Sequence, residues 1–267
     1  MRKENTPTKK LTIWYARTYR KLNIDYASSI LFILILIVPS LLLLVLNIGP
    51  ITRGMTKLAQ SVLSEALPGN TFTMETSQYA PFGEMYLLGF DCPLPTAEEI
   101  AINLIVVVGV IAILALTKLR GRPLVIYLTF SLMIHVISCV FFSFVRDTTI
   151  YSGMDFSNII LKQQISVWIL FIVLMGVVLA FFGSLGLIHK ILAFFSLMIY
   201  SGAIGILRYI VFIFILTNFS ALYMPDMYFI MGPIFDFLYL VGIYAIYSSR
   251  MQKVFDSPEG EGEWRWL

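Results

Sequence analysis

Six apolar stretches, each long enough to cross a lipid bilayer, constrain this chain more than any other feature of its sequence. A hydrocarbon core about 30 Å thick needs about 20 helical residues to span it. Backbone polar groups in lipid must be paired within the segment, so such runs form helices. With 58% apolar and 13% charged residues, the sequence predicts an all-α, polytopic membrane protein with six transmembrane helices.

The apolar runs divide the chain into five parts. These are a basic N-terminus (1–27), an anchor helix (28–49), an insert (50–99), a five-helix membrane bundle (100–249) and a C-terminal tail (250–267). The predicted bundle helices are 100–117, 124–145, 164–183, 191–219 and 229–249. No small-x-small cleavage site follows the first apolar run, so we interpret it as a retained anchor rather than a removed signal peptide.

Lysine and arginine in the short loops predict the orientation. Fourteen of the nineteen basic residues lie on the side of the two termini, whereas the opposite loops hold four, Arg53, Lys57, Arg146 and Lys162. Arg208 lies inside a helix. The bias predicts a multi-pass protein of a bacterial inner (cytoplasmic) membrane, with both termini in the cytoplasm and the insert outside.

The insert has the pattern of a small folded cap. Apolar residues recur at helical spacing in 52–67, which predicts an amphipathic helix along the membrane surface. Pro68-Gly69-Asn70 signals a turn, 71–76 alternates like a strand, and 85–90 is a suitable partner strand. The insert is acidic and too small for a large catalytic core of its own.

Three ionisable residues lie within predicted helices, and such groups are costly in a bilayer unless paired or hydrated. They are His135, Arg208 and Asp236. Counted from a short outer loop at 220–228, Arg208 lies about 16 Å deep and Asp236 about 10 Å deep. We therefore predict an intramembrane Arg208–Asp236 ion pair. It either fixes the register of two helices or forms part of a site for a substrate or anionic headgroup.

The two cysteines have competing interpretations. His135 and Cys139 share one helix face, so they either form an activated thiolate pair or are ordinary buried residues, with Ser131 and Ser138 as local partners of the histidine. Cys92 precedes the second helix on the predicted outer face. It is a candidate nucleophile, although Asp91 beside it would raise rather than lower the thiol pKa.

The sequence contains a small-residue packing motif but none of the common nucleotide-binding or catalytic motifs. Ser201 and Gly205 form a small-x-x-x-small pair that favours close helix packing. The sequence has no P-loop, dinucleotide fingerprint, HExxH or Gly-x-Ser-x-Gly motif. We expect no cofactor, no metal and no nucleic-acid partner. The expected partners are the lipid bilayer and another membrane protein.

The layout of residues 28–182 resembles that of exosortase-associated membrane proteins, which combine an anchor helix, a compact outer insert and further hydrophobic helices. The segment Gly205-Ile206-Leu207-Arg208-Tyr209 is also similar to the arginine helix of the exosortases themselves. Exosortases carry an outer-face Cys-Ser-Gly and a later histidine. Here Cys92 is followed by Pro93-Leu94 and the histidine has no counterpart, so the resemblance implies no complete catalytic set.

The predicted function is non-catalytic. We expect an accessory or scaffold subunit of an envelope protein-sorting, export or polysaccharide-assembly system. One alternative is a membrane-embedded cysteine transpeptidase or peptidase of exosortase type that uses Cys92 with Arg208. A second alternative is a small transporter whose site comprises His135, Arg208 and Asp236.

Overall fold

The computed structural model of the protein describes residues 20–22, 26–117, 121–145, 151–182, 187–255 and 264–266. Within these ranges, six helical segments are long and apolar enough to span a membrane. The prediction of an all-α, multi-pass membrane protein with six transmembrane helices is therefore confirmed. The membrane it resides in and the side on which its termini lie stay predictions.

A short strand precedes the first spanning segment. Strand β1 (Arg20–Leu22) is followed by helix α1 (Tyr26–Phe32), a π-helical turn (Ile33–Ile37) and helix α2 (Val38–Leu46). The π turn widens the helix just before Pro39, whose ring lacks an N–H and crowds the preceding turn. The first spanning segment is thus continuous but irregular.

The insert folds as a helix on a hairpin. Helix α3 (Ile48–Ala66) begins immediately after Asn47, and strands β2 (Thr73–Tyr79) and β3 (Gly83–Gly89) pair antiparallel. The predicted helix and hairpin are confirmed, whereas the position of the helix along the membrane surface stays a prediction. Three side chains of β3 are fully buried: Met85, Leu87 and Leu88. Met85 and Leu87 lie on one face of the strand and Leu88 on the other, so β3 is covered on both faces.

Five further spanning segments follow. They comprise α4 (Ala97–Leu116), α5 (Pro123–Phe144), α6 (Gly153–Phe182), α7 (Leu187–Asn218), and a last segment made of a 3₁₀ turn (Ala221–Tyr223), α8 (Met224–Phe229), a π turn (Ile230–Ile234) and α9 (Phe235–Phe255). The most apolar window of α6 is 56% buried, against 11% for α4. Helix α6 is therefore central, and α4 lies at the periphery.

Two predicted boundaries are wrong. The stretch 220–228, expected as a loop, is mostly helical, because Ser220 caps the 3₁₀ turn through the N–H of Leu222 and Pro225 occupies the first turn of α8. Helix α6 begins at Gly153 rather than at 164. Ser152 and Asp155 exchange capping hydrogen bonds there. The predicted links at 146–150 and 183–186 lie outside the described residues.

Two short strands, one near each end of the chain, pair with each other. Strand β4 (Trp264–Trp266) pairs antiparallel with β1, with Arg20 opposite Trp266 and Leu22 opposite Trp264. This pairing agrees with an even number of membrane crossings.

Candidate functional site

Arg208 and Asp236 form a buried ion pair in the bundle. The Nη1 group of Arg208 donates to Oδ2 of Asp236 at 2.8 Å. The two residues are only 6% and 2% exposed. The Nη2 group of Arg208 donates to Oε1 of Gln164 on α6, so the guanidinium joins α6, α7 and the last segment. The predicted contact between Arg208 and Asp236 is therefore present.

The same guanidinium closes a break in the last segment. Gly232 has non-helical angles (φ −87°, ψ −120°), and the following Pro233 has no N–H to donate. Arg208 Nη1 donates to the carbonyls of Met231 at 2.9 Å and of Gly232 at 3.3 Å. Backbone carbonyls freed within a membrane must find a partner in the protein. Arg208 supplies that partner, which the sequence did not predict.

Several polar atoms around the pair have no partner within the described residues. They are Nε of Arg208, Oδ1 of Asp236, Nε2 of Gln164, and both amide atoms of Gln163. A Cβ on Gly232 would lie 2.7 Å from Nε2 of Gln163, so Gln163 packs tightly against the helix break. A buried polar atom without a partner costs about 1–3 kcal/mol. The region around the ion pair therefore has polar atoms that are free to accept or donate further hydrogen bonds.

His135 belongs to a separate cluster. Its Nδ1 contacts Oδ2 of Asp226 on α8, and its Nε2 lies 3.3 Å from Oδ1 of Asn103 on α4. Tyr223 donates to the same Asn103 oxygen at 3.1 Å, and its ring centroid lies 5.4 Å from that of His135. Among the described residues, His135 makes no hydrogen bond or ion pair with Arg208 or Asp236. The predicted transport site of His135, Arg208 and Asp236 stays a prediction.

The hydrogen bonds of Asn103 fix the proton on one imidazole nitrogen. The Nδ2 group of Asn103 donates to the carbonyl of Glu99 at 2.9 Å, so its Oδ1 faces the histidine as an acceptor. Nε2 of His135 must then carry a proton. The contact between Nδ1 and Asp226 consequently requires a second proton, held either by the imidazole or by the carboxyl group.

The prediction that Ser131 and Ser138 are the partners of His135 is wrong. Ser131 donates to the carbonyl of Tyr127, and Ser138 donates to the carbonyl of Leu222 at 2.6 Å. Asp226 replaces them, because the helical stretch after Ser220 brings its carboxyl group against α5. The contact between His135 and Asp226 depends on the helical conformation of this stretch, which was predicted to be a loop.

Neither cysteine has the surroundings of a nucleophile. Cys139 is fully buried, and both ring nitrogens of His135 are engaged elsewhere, so the His135–Cys139 pair is not built. The Sγ of Cys92 donates to the carbonyl of Leu216 at 3.7 Å. Burial raises the pKa of Cys92 to about 12. The direction agrees with the prediction, but the cause is desolvation rather than Asp91.

Cys92 and Arg208 are also not brought together. The thiol contacts Leu216, which lies eight residues from Arg208 along α7, or about 12 Å. The guanidinium is committed to Asp236, Gln164 and two carbonyls. The described residues therefore contain no Cys92–Arg208 catalytic pair.

The small residues of α7 pack closely against their neighbours. Ser201 is fully buried and lies 2.7 Å from the hydroxyl of Tyr239. A Cβ on Gly205 would lie 2.6 Å from Cδ of Gln164. Gly202, one residue after Ser201, has no atom within 4 Å of the same position. Only one face of α7 is therefore closely packed.

A further polar contact joins the insert to the bundle. The hydroxyl of Tyr209 lies 2.6 Å from Oγ of Ser157 and accepts from the backbone N–H of Leu88 at 2.9 Å. Tyr209 is 1% exposed. The insert is thus anchored on α6 and α7 rather than resting only on the ends of the helices.

Comparison with protein families, curated proteins and solved structures finds no match to this chain.

Proposed function

We propose that this protein is a non-catalytic accessory or scaffold subunit of an envelope protein-sorting, export or polysaccharide-assembly system. One observation carries the proposal. The Asp, Glu, Lys, Arg and His side chains that are less than a tenth exposed in the described helices are His135, Arg208, Asp226 and Asp236. Each is paired with another of the four. Such pairs hold helices in register without needing a substrate.

The partner surface cannot include the Arg208–Asp236 region. Both side chains are buried inside the chain. The surfaces open to a membrane partner include the insert and the exposed faces of α4 and α5. Gly109 on α4 is exposed, and a Cβ there would meet no atom within 4 Å. A small residue on an open helix face allows close approach of another helix.

The proposed location is a bacterial inner membrane with both termini in the cytoplasm. The excess of basic residues on the terminal side supports this orientation. The pairing of β1 with β4 agrees with it, because both ends must then lie on one side. A reporter enzyme that is active only outside the cytoplasm, inserted after Asn70, should be active. The same reporter fused to the C-terminus should be inactive.

A transporter is the second candidate function, because one observation favours it. The last segment is broken at Gly232, and unpaired polar atoms of Arg208, Asp236 and Gln164 lie beside the break. Broken helices form substrate sites in many transporters. A substrate held there should protect the protein against unfolding, whereas a purely structural pair offers it no contact.

Purification from the native membrane tests the accessory proposal. The tagged protein is extracted in mild detergent, and co-purifying proteins are quantified by mass spectrometry. A scaffold subunit should recover one membrane protein in fixed stoichiometry. Gly109→Leu should reduce this recovery, and Gly202→Leu on α7 serves as the matched control, since neither position has an atom within 4 Å. Recovery of the chain alone would contradict the proposal.

A further inference from the structure

A surface groove lies where the first spanning segment meets the insert. Its volume is about 660 Å³. One wall is the start of α3, and the other is the beginning of β3 with the turn before it. The lining residues include Pro50, Arg53, Lys57, Phe82, Glu84 and Tyr86. Leu46, the last residue of α2, also lines it.

The groove gathers the positive charge of the insert. The insert contains six acidic residues but only two basic ones, Arg53 and Lys57. Both line the groove, both are exposed, and they lie four residues apart on one face of α3. The guanidinium carbon of Arg53 lies 5.5 Å from the ring centroid of Tyr86. This cation–π contact holds the arginine at the rim of the groove.

The position of the groove identifies the occupant. Leu42, Leu43 and Leu46 at the end of α2 are 54%, 64% and 76% exposed. Side chains so apolar and so open belong in the hydrocarbon region of a bilayer. The groove begins at Leu46 and continues away from these leucines, so its cations lie at the level of lipid headgroups.

We propose that this groove binds the headgroup of an anionic phospholipid. Arg53 and Lys57 would contact the phosphate, and the acyl chains would continue along the exposed leucines of α2. Glu84 on the opposite wall would accept a hydrogen bond from a headgroup hydroxyl. The site therefore favours phosphatidylglycerol over a lipid whose headgroup has no donor. This inference does not depend on the proposed function.

The test is a titration of the purified full-length protein, in uncharged detergent, with dihexanoyl phosphatidylglycerol. Replacing both cations (Arg53→Gln with Lys57→Gln) should weaken binding about thirtyfold, since each basic residue near an anionic lipid surface contributes about a fivefold factor. Gly54→Leu should also weaken binding, because Gly54 lines the groove and a Cβ there meets no atom within 4 Å. That substitution fills the groove without disturbing its walls.

Lys162→Gln is the matched control. Lys162 lies 5.8 Å from the ring of Tyr79, outside the groove, so its removal should leave binding unchanged. Equal binding by all three variants and the unmodified protein would overturn the proposal. Inorganic phosphate and dihexanoyl phosphatidylcholine separate the possible ligands. Phosphate binding as tight as that of phosphatidylglycerol would overturn the lipid assignment, and equal binding of phosphatidylcholine would overturn the role of charge.

Discussion

The structural role of the Arg208–Asp236 pair makes a quantitative prediction about unfolding. Asp236→Leu leaves the buried guanidinium without its counter-charge, and Arg208→Met leaves the carboxylate alone together with the carbonyls of Met231 and Gly232. Removing one partner of a buried ion pair costs about 3–5 kcal/mol. We expect Arg208→Met to be the more damaging change, because it also leaves two carbonyls without a donor.

The double variant should be much less destabilised than the sum of the two single variants. It contains no unpaired charge, but the carbonyls at the helix break still lack their donor, so we expect a loss of about 2–4 kcal/mol. The two single losses together should exceed that of the double variant by at least about 2 kcal/mol. This difference is the coupling energy of the pair.

The assay is unfolding of the purified protein in mixed micelles of increasing SDS fraction, followed by far-ultraviolet circular dichroism. Arg122→Met, which replaces an exposed arginine at the start of α5, is the control and should change stability little. Additive single effects, or an Arg208→Met variant as stable as the unmodified protein, would refute the structural role of the pair.

Three further predictions concern packing and thiol chemistry. Gly205→Val should cost about 1–3 kcal/mol of unfolding free energy, and Gly202→Val much less, because only Gly205 has a neighbouring atom within 4 Å of its Cβ position; SDS unfolding of both variants measures the difference. With Cys139 replaced by Ala, Cys92 should react with iodoacetamide at pH 8 about a thousandfold more slowly than after unfolding, since burial raises its pKa from 9.0 to about 12, and equal rates would contradict this. Leu88→Ala should cost about 2–5 kcal/mol, because the side chain is fully buried, and should make the insert susceptible to limited proteolysis.

The parts of the fold that could be predicted from sequence are those determined by local pattern. Long apolar runs fix the spanning helices, since lipid permits no other backbone arrangement. The turn signal at 68–70 and the alternation after it predicted the hairpin of β2 and β3. The contact of Arg208 with Asp236 followed from two charges at similar depth, even though the loop used to count that depth proved to be helical.

The remaining features depend on tertiary contacts that a single sequence does not display. Gln163 was predicted to end a polar stretch before a helix, whereas it lies within α6 beside the helix break. Asp226 was read as a loop residue, whereas it pairs with His135. In both cases a polar residue expected to face water packs against, or pairs with, a residue of another helix. One available signal was the lone buried histidine, which required a partner outside its own helix.

A measurement of stoichiometry tests the central claim most directly. The amount of this protein is lowered stepwise from a titratable promoter, and the membrane level of the protein that co-purifies with it is quantified at each step. A scaffold subunit acts in proportion to its own amount, so the partner should fall in parallel and should be unaffected by Cys92→Ala. Two results would contradict a non-catalytic role. One is a partner level that persists when this protein is reduced to a few per cent of its normal amount, and the other is loss of the partner in the Cys92→Ala variant.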